Sequence, residues 1–279
     1  MFPSSNRLPH GGARVALVTG AAHRIGRTIA LTLAARGWDV AVHYGRSEAA
    51  ATALAAEIDA LGRRAIALRA DLADEAQVRG LLPQIEALLG PVRCIVNNAS
   101  LFEEDSAATF DYATLQRLSA VNLAAPLALA RALYQSLPAE ADSDESLRGV
   151  VINLLDQKLF NQNPDFFSYT LTKAALHTAT TTLAQALAPR VRVAAVAPGL
   201  TLPSGTQSPA GFAQAHRHTP LGRASHPQDV ADAVCYLAEA SAVTGATLVV
   251  DGGQHLVPLP RDVMFMTGAS PQPAAGRPA

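Results

Sequence analysis

The sequence predicts an α/β fold, a single doubly wound domain in which a seven-stranded parallel sheet is flanked by helices. Three observations predict it. Short apolar or β-branched runs alternate with longer alanine- and leucine-rich segments of helical period, strand then helix, six times over. The strand runs are apolar almost without a break, so both sheet faces must be covered. A glycine-containing turn, "TGAAHRIG", stands between the first strand and the first helix, the edge at which such sheets bind ligands.

Strands are expected at "RVALVTG" (14–20), "DVAVHYG" (39–45), "RAIALRADL" (64–72), "RCIVNNA" (93–99), "GVVINLL" (149–155), "RVRVAAVAPG" (190–199) and "GATLVVDGG" (245–253). The helical segments "IGRTIALTLAARG" and "SEAAATALAAEIDALG" each end in Gly, which takes the left-handed conformation that stops a helix. One domain over residues 13–260 accounts for every element. Residues 1–12 are expected to form a flexible arm, and 261–279 a tail partly disordered at "SPQPAAGRPA". The stretch "LVPLPRDVMFMTG" is too apolar for a free tail and is expected to pack on its own subunit or on a neighbour.

A formal net charge of -1 with 16% charged residues gives no basic block for nucleic acid or for an anionic membrane surface. No apolar run reaches the roughly 18 residues of a membrane span, and the start of the chain lacks a signal-peptide core. A cytoplasmic location is expected. The two cysteines, Cys94 and Cys235, fall in a strand and a helix and read as reduced core thiols; no metal site is expected.

In the glycine turn, Gly20 and Gly26 let backbone N–H groups approach a pyrophosphate, with the positive end of the helix beginning near Ile25 aimed at the same place. After the second strand comes "HYGRS". Where NAD-binding folds carry an acid, this chain carries Arg46 and Ser47 beside Tyr44, which favours a 2′-phosphate and therefore NADPH. The alternative for Arg46 is an exposed loop arginine. Asp71 and Leu72 close the third strand on the ligand edge. Asp71 either accepts from an adenine amino group or belongs to a helix cap, for which Asp74 is the better candidate. Asn98, Ala99 and Ser100 end the fourth strand beside the expected cofactor ribose.

Tyr169 and Lys173 lie four apart in "SYTLTKAALHTATTTLAQAL", a helical stretch, and so share one face. The Lys173 ammonium is expected to lower the pKa of the Tyr169 phenol and ready it for proton transfer. Thirteen residues earlier stands Asp156, at the end of an apolar run.

With these motifs in place, residues 13–255 resemble the short-chain dehydrogenase/reductase family. The resemblance rests on "TGAAHRIG", "NNAS", Asn122, "SYTLTK", "APG" after the sixth strand, with Pro198 and Gly199, and the closing "VVDGG". It implies a Rossmann-type sheet and hydride transfer from a nicotinamide, with Tyr169 as the acid, Lys173 on the nicotinamide ribose, Asn122 in the catalytic set and often a homotetramer. The helical region from Asp111 to Leu137 and the catalytic helix are alanine-rich enough for close packing across a subunit interface or within one subunit. Two departures stand out: Asp156 replaces the usual Ser, and Arg24 replaces the middle glycine of the turn. With "HYGRS" and "NNASLF" they resemble the pteridine reductase branch, including dihydromonapterin reductase-like members. That branch implies Arg24 near cofactor phosphates and substrate, Ser100 touching both, and Phe102 sandwiching a flat heterocycle.

The chemistry of Asp156 points the same way. An ionised carboxylate beside a ketone repels the alkoxide formed as hydride arrives. A ring C=N bond reverses that requirement, because nitrogen must gain a proton and the heterocycle presents N–H groups for a carboxylate to accept. Burial would raise the Asp156 pKa and let it share a proton with Tyr169. The expectation is an NADPH-dependent reductase of a pterin or folate C=N bond, with Arg24, Ser100, Phe102, Asp156 and Tyr169 on the substrate. A carbonyl reductase acting on, for example, a 3-oxoacyl thioester and an idle NADP(H)-binding regulator are the competing readings. Phe160, Phe166 and Phe167 either line the pocket or serve as packing. The stretch 199–223 reads as a lid, with His216 and His218 at its surface.

Overall fold

In the computed structural model, which describes residues 14–203, 208–217 and 219–266, all seven expected strands form. They are β1 (Val15–Val18), β2 (Asp39–Tyr44), β3 (Ala65–Arg69), β4 (Val92–Asn97), β5 (Gly149–Leu154), β6 (Val191–Pro198) and β7 (Thr247–Val250). All pair in parallel, in the order β3-β2-β1-β4-β5-β6-β7. The chain reverses its direction of travel across the sheet between β1 and β4, and the crevice at such a switch point is where these sheets bind ligands.

The helices are α1 (Arg24–Ala35), α2 (Glu48–Ala60), α3 (Glu75–Leu89), α4 (Tyr112–Ser119), α5 (Ala125–Ser136), α6 (Phe167–Ala186), α7 (Pro209–Arg217), α8 (Pro227–Glu239) and α9 (Val263–Met266). Strand side chains alternate between two cores, as the two-residue period requires. Ala16, Val18, Val40, Val42 and Cys94 face α1, α2 and α8, whereas Val15, Leu17, Ala41 and Ile95 face α3 and α5. Both cysteines are free and buried on the first side, and burial pushes each thiol up to about 12.

As its apolar character predicts, the stretch beyond β7 packs back onto its own chain: α9 runs to Met266, and Val263 and Met264 are 8% and 7% exposed. The expected helical region Asp111–Leu137 is α4 and α5 joined by a π-helical turn at Ala120–Ala124. The described part of the stretch 199–223 includes α7, which packs against α9. The expected N-terminal arm, the tail from 267 onward and His218 lie outside the described residues. Among the described residues, no helix is long and apolar enough to cross a membrane.

Candidate active site

The glycine turn leaves β1 through Gly20, whose φ of +61° suits a residue without a Cβ. Its N–H donates to His43 Nδ1 at 3.1 Å, and His43 Nε2 faces the Ala70 carbonyl at 3.1 Å. One ring nitrogen must accept and the other donate, so the imidazole is neutral; burial lowers its pKa accordingly. Thr19 and Asn98 complete the brace. Thr19 Oγ1 accepts from the N–H groups of Asn98 and Ala99, each at 3.0 Å, and Asn98 Nδ2 donates to the carbonyls of Thr19 at 2.9 Å and Gly20 at 3.1 Å. A Cβ on Gly26 would stand 2.4 Å from Gly20 O and 2.5 Å from Asn98 Nδ2. The turn is therefore drawn tight over the start of α1, whose first N–H groups have no intrahelical acceptor, and this cradle fits a phosphate. Asn98, expected beside the cofactor, braces the cradle with its amide. Sequence reading passed over His43 and Thr19, although a lone histidine in an otherwise apolar strand end was the available signal.

Arg24 begins α1 with φ +55°, a glycine-like conformation at the position where glycine is usual. Its exposed side chain donates to Pro203 O at 3.1 Å and, with Ile25, lines the cleft that also holds Asp156. At the end of β2, Arg46 is exposed and Ser47 sits at the N-cap of α2 without a side-chain cap bond, so both remain available to a ligand. Tyr44 differs: its ring is 7% exposed and packs in the core. Asp71 is exposed, and its Oδ1 accepts from Ala73 N at 2.9 Å, while Asp74 caps α3 through Ala76 N and Gln77 N. Leu72 is buried. Pro198 is buried at the end of β6, and a Cβ on Gly199 would meet Asp251 Cβ at 2.5 Å, so the segment after β7 closes against it.

At the catalytic end, Tyr169 Oη donates to Asp156 Oδ2 at 2.8 Å. Asp156 begins the 3-10 turn Gln157–Phe160, and its Oδ1 accepts from Lys158 N at 2.9 Å. Burial raises the Asp156 pKa, against the hydrogen bonds from Lys158 and Tyr169. Burial also lifts the Tyr169 phenol well above its ordinary value, and the charge and hydrogen bond of Asp156 lift it further. This overturns the expected Lys173 effect. The Lys173 ammonium donates to Leu154 O at 2.8 Å and lies 5.8 Å from the Tyr169 ring centroid, so it makes no bond to the phenol. Burial pulls Lys173 itself down to about 8, against the pull of Asp156. Tyr169 is held as a neutral phenol, a donor.

Asn122 stands in the π-helical turn, and both ends of its amide are occupied. Oδ1 accepts from Leu101 N at 2.8 Å and Ser100 Oγ at 3.2 Å; Nδ2 donates to Leu101 O at 2.9 Å and Thr172 Oγ1 at 3.1 Å. Thr172 in turn donates to the Tyr169 carbonyl at 2.8 Å. Asn122, which the resemblance places in the catalytic set, therefore ties the loop bearing Ser100 and Phe102 to the catalytic helix, a positioning geometry. Asp105 makes a second tie, accepting from Ser168 N at 2.9 Å across 63 residues at the start of α6.

The cleft beside Asp156 is lined by Arg24, Phe102, Leu200, Gln254, Asp262 and Met264. Phe102 stacks on Phe166 at 4.1 Å and meets Tyr169 edge-on at 4.7 Å; its ring is 43% exposed, so surface remains open to a flat ligand. Phe166 thus backs the site. Phe167 pairs instead with Phe110, and Phe160 with His177 and His255, so these two are packing residues. His216 is half-buried and its Nδ1 accepts from Ala224 N at 3.3 Å, where a surface residue was expected. Gln254, Asp262 and Met264 went unread because they approach from beyond the last strand.

Comparison with known proteins places this geometry. Residues 20–255 match the family model described as enoyl-(acyl carrier protein) reductase. The crystal structure of FolM alternative dihydrofolate reductase 1 from Brucella canis, complexed with NADP, is 43% identical with a TM-score of 0.81, over 88% of this chain and 95% of that one. An uncharacterised oxidoreductase of Methylorubrum extorquens is 35% identical over 86% of this chain and 97% of its own length. The 3-oxoacyl-[acyl-carrier-protein] reductase FabG of Staphylococcus aureus is 32% identical over 86% and 98%. With its seven parallel strands, glycine turn and Tyr169–Lys173 helix, the chain belongs to the short-chain dehydrogenase/reductase family and is an NAD(P)-dependent oxidoreductase.

Proposed function

We propose that this protein is an NADPH-dependent reductase of a ring C=N bond in a pterin or folate. One observation carries the reading: a half-buried carboxyl, Asp156, is bonded to the catalytic phenol at 2.8 Å where a carbonyl reductase needs a neutral hydroxyl. The nicotinamide supplies a hydride when bound. The protein must then supply a proton to nitrogen while keeping the heterocycle flat against it. Phe102, backed by Phe166, offers a face for stacking. Burial favours the protonated form of Asp156, which serves as the proton reservoir. With Asp156 protonated the Oδ2–Oη bond reverses so that the carboxyl donates; Tyr169 then passes its proton to the ring nitrogen as it takes one from Asp156, and no phenolate accumulates on a group whose pKa burial has raised. The carboxylate left behind regains a proton from water entering the cleft. Lys173, cationic below about 8, offsets that charge.

Cofactor choice is supported by the exposed Arg46 and Ser47, which suit a 2′-phosphate, and by the NADP complex of the Brucella canis relative. The likeness to FolM supports the folate or pterin substrate. A homotetramer belongs to the same reading. The likeness to FabG supports a second reading, reduction of a 3-oxoacyl thioester, against which Asp156 stands. The test follows NADPH consumption with dihydrobiopterin, dihydromonapterin, dihydrofolate and a 3-oxoacyl thioester in parallel. Turnover of at least one dihydropterin or dihydrofolate, with little of the thioester, is expected; turnover of the thioester alone would sink the proposal.

A further inference from the structure

Beyond β7 the chain returns to the catalytic end and brings a second carboxyl with it. Asp262 lines the same cleft as Asp156. It is held on three sides: Oδ2 faces Lys158 Nζ at 3.3 Å, Oδ1 accepts from Met264 N at 3.1 Å, and its own N–H donates to Asp165 Oδ2 at 2.7 Å. Its neighbour Arg261 adds an ion pair to Asp165 at 2.8 Å. Lys158 is the link between the two acids. Its backbone N–H binds Asp156 Oδ1 at 2.9 Å, while its ammonium, on a side chain only 3% exposed, is shared by Asp262 and Asn163. An ammonium this enclosed needs an anionic partner, and the C-terminal segment provides one.

We propose that Asp262 is a positioning residue for proton delivery: the C-terminal segment places its charge beside Asp156, Lys158 balances it, and the pair governs how firmly Asp156 keeps its proton. The proposal rests on the reading of Asp156 and Tyr169 as the proton-delivering pair. Four elements present charged or titratable groups to Asp156. Tyr169 and Lys173 come from α6, Lys158 from the turn that follows Asp156, Asp262 from the C-terminal segment and Arg24 from across the cleft. The Lys173 charge and the hydrogen bonds from Lys158 N–H and Tyr169 favour the carboxylate. Burial and the Asp262 charge favour the acid, and both also push the Tyr169 phenol upward.

The signs separate an electrostatic role from a scaffolding one. Protonated Asp156 is the active form, so activity is lost as pH rises through its pKa. Asp262→Asn removes an anion and leaves Lys158 unbalanced, which moves that loss to lower pH. Lys158→Met keeps the backbone N–H but leaves Asp262 unbalanced, which moves it to higher pH. The test titrates the Asp156 carboxyl by 13C NMR in the full-length NADP+-bound protein, with its signal assigned by Asp156→Asn, and records kcat/KM against pH. The two variants are expected to move the midpoint in opposite directions, each by about half a pH unit or more. Midpoints that stay in place, or move the same way, would overturn the proposal even if activity falls. Failure of the function proposed above reads differently: no dihydropterin or dihydrofolate is turned over, while the carboxyl titration still decides the role of Asp262.

Discussion

Around the glycine turn, Thr19, His43 and Asn98 are neutral, and each binds backbone atoms of the turn or of the adjoining strand ends. At the catalytic end, Tyr169, Lys173 and Lys158 are buried and Asp156 half-buried, and loss of solvent displaces the Asp156 and Tyr169 pKa values upward and that of Lys173 downward. The first region fixes a shape, and its side chains leave the ligand to backbone N–H groups and to a helix end. The second biases protonation states, and in the proposed function its side chains meet the reacting atoms. Substitutions should therefore act on cofactor affinity in one region and on turnover in the other.

The largest effect expected in the first region is that of Gly26→Ala. The added methyl would fall 2.4 Å from Gly20 O, so the turn must open, at a cost of about 1–3 kcal/mol in stability. Displacement of the phosphate cradle should weaken NADPH binding by about 100-fold, measured by calorimetry. Unchanged affinity would show that the tight turn is not the cradle. Arg46→Ala sharpens the comparison at smaller scale. It should raise the NADPH Kd by about tenfold, the equivalent of one charge-assisted hydrogen bond of about 1.5 kcal/mol, and leave the NADH Kd unchanged. Equal losses for both cofactors would remove the 2′-phosphate assignment.

Much of the fold was legible because all seven strands are apolar runs closed by turn residues. Their ends were less so. "RVALVTG" reads as strand to Gly20, but β1 stops at Val18 because Thr19 and Gly20 must turn to meet Asn98 and His43. The π-helical turn at Asn122 has one local signal, Pro126, which has no N–H to donate to the Asn122 carbonyl, but its purpose lies in contacts to Leu101 and Thr172 distant in sequence. Spacing put Tyr169 and Lys173 on one face of α6, yet it could not reveal that the ammonium reaches the Leu154 carbonyl while the phenol reaches Asp156. Asp262 and Met264 were hidden for a further reason. The apolar character of the segment, which follows Pro258 and Pro260, predicts that it packs, but not against which part of the molecule, and only tertiary packing returns it to the cleft.

The account centres on the Asp156 carboxyl as the proton source for a ring nitrogen, and Asp156→Ala tests it most directly. The variant is assayed for kcat/KM with whichever dihydropterin or dihydrofolate the wild-type chain reduces fastest, and for its NADPH Kd. A loss of about 10²- to 10⁴-fold in kcat/KM, with NADPH affinity essentially unchanged, is the predicted result. Activity equal to that of the wild type would contradict it and place the carboxyl outside the mechanism.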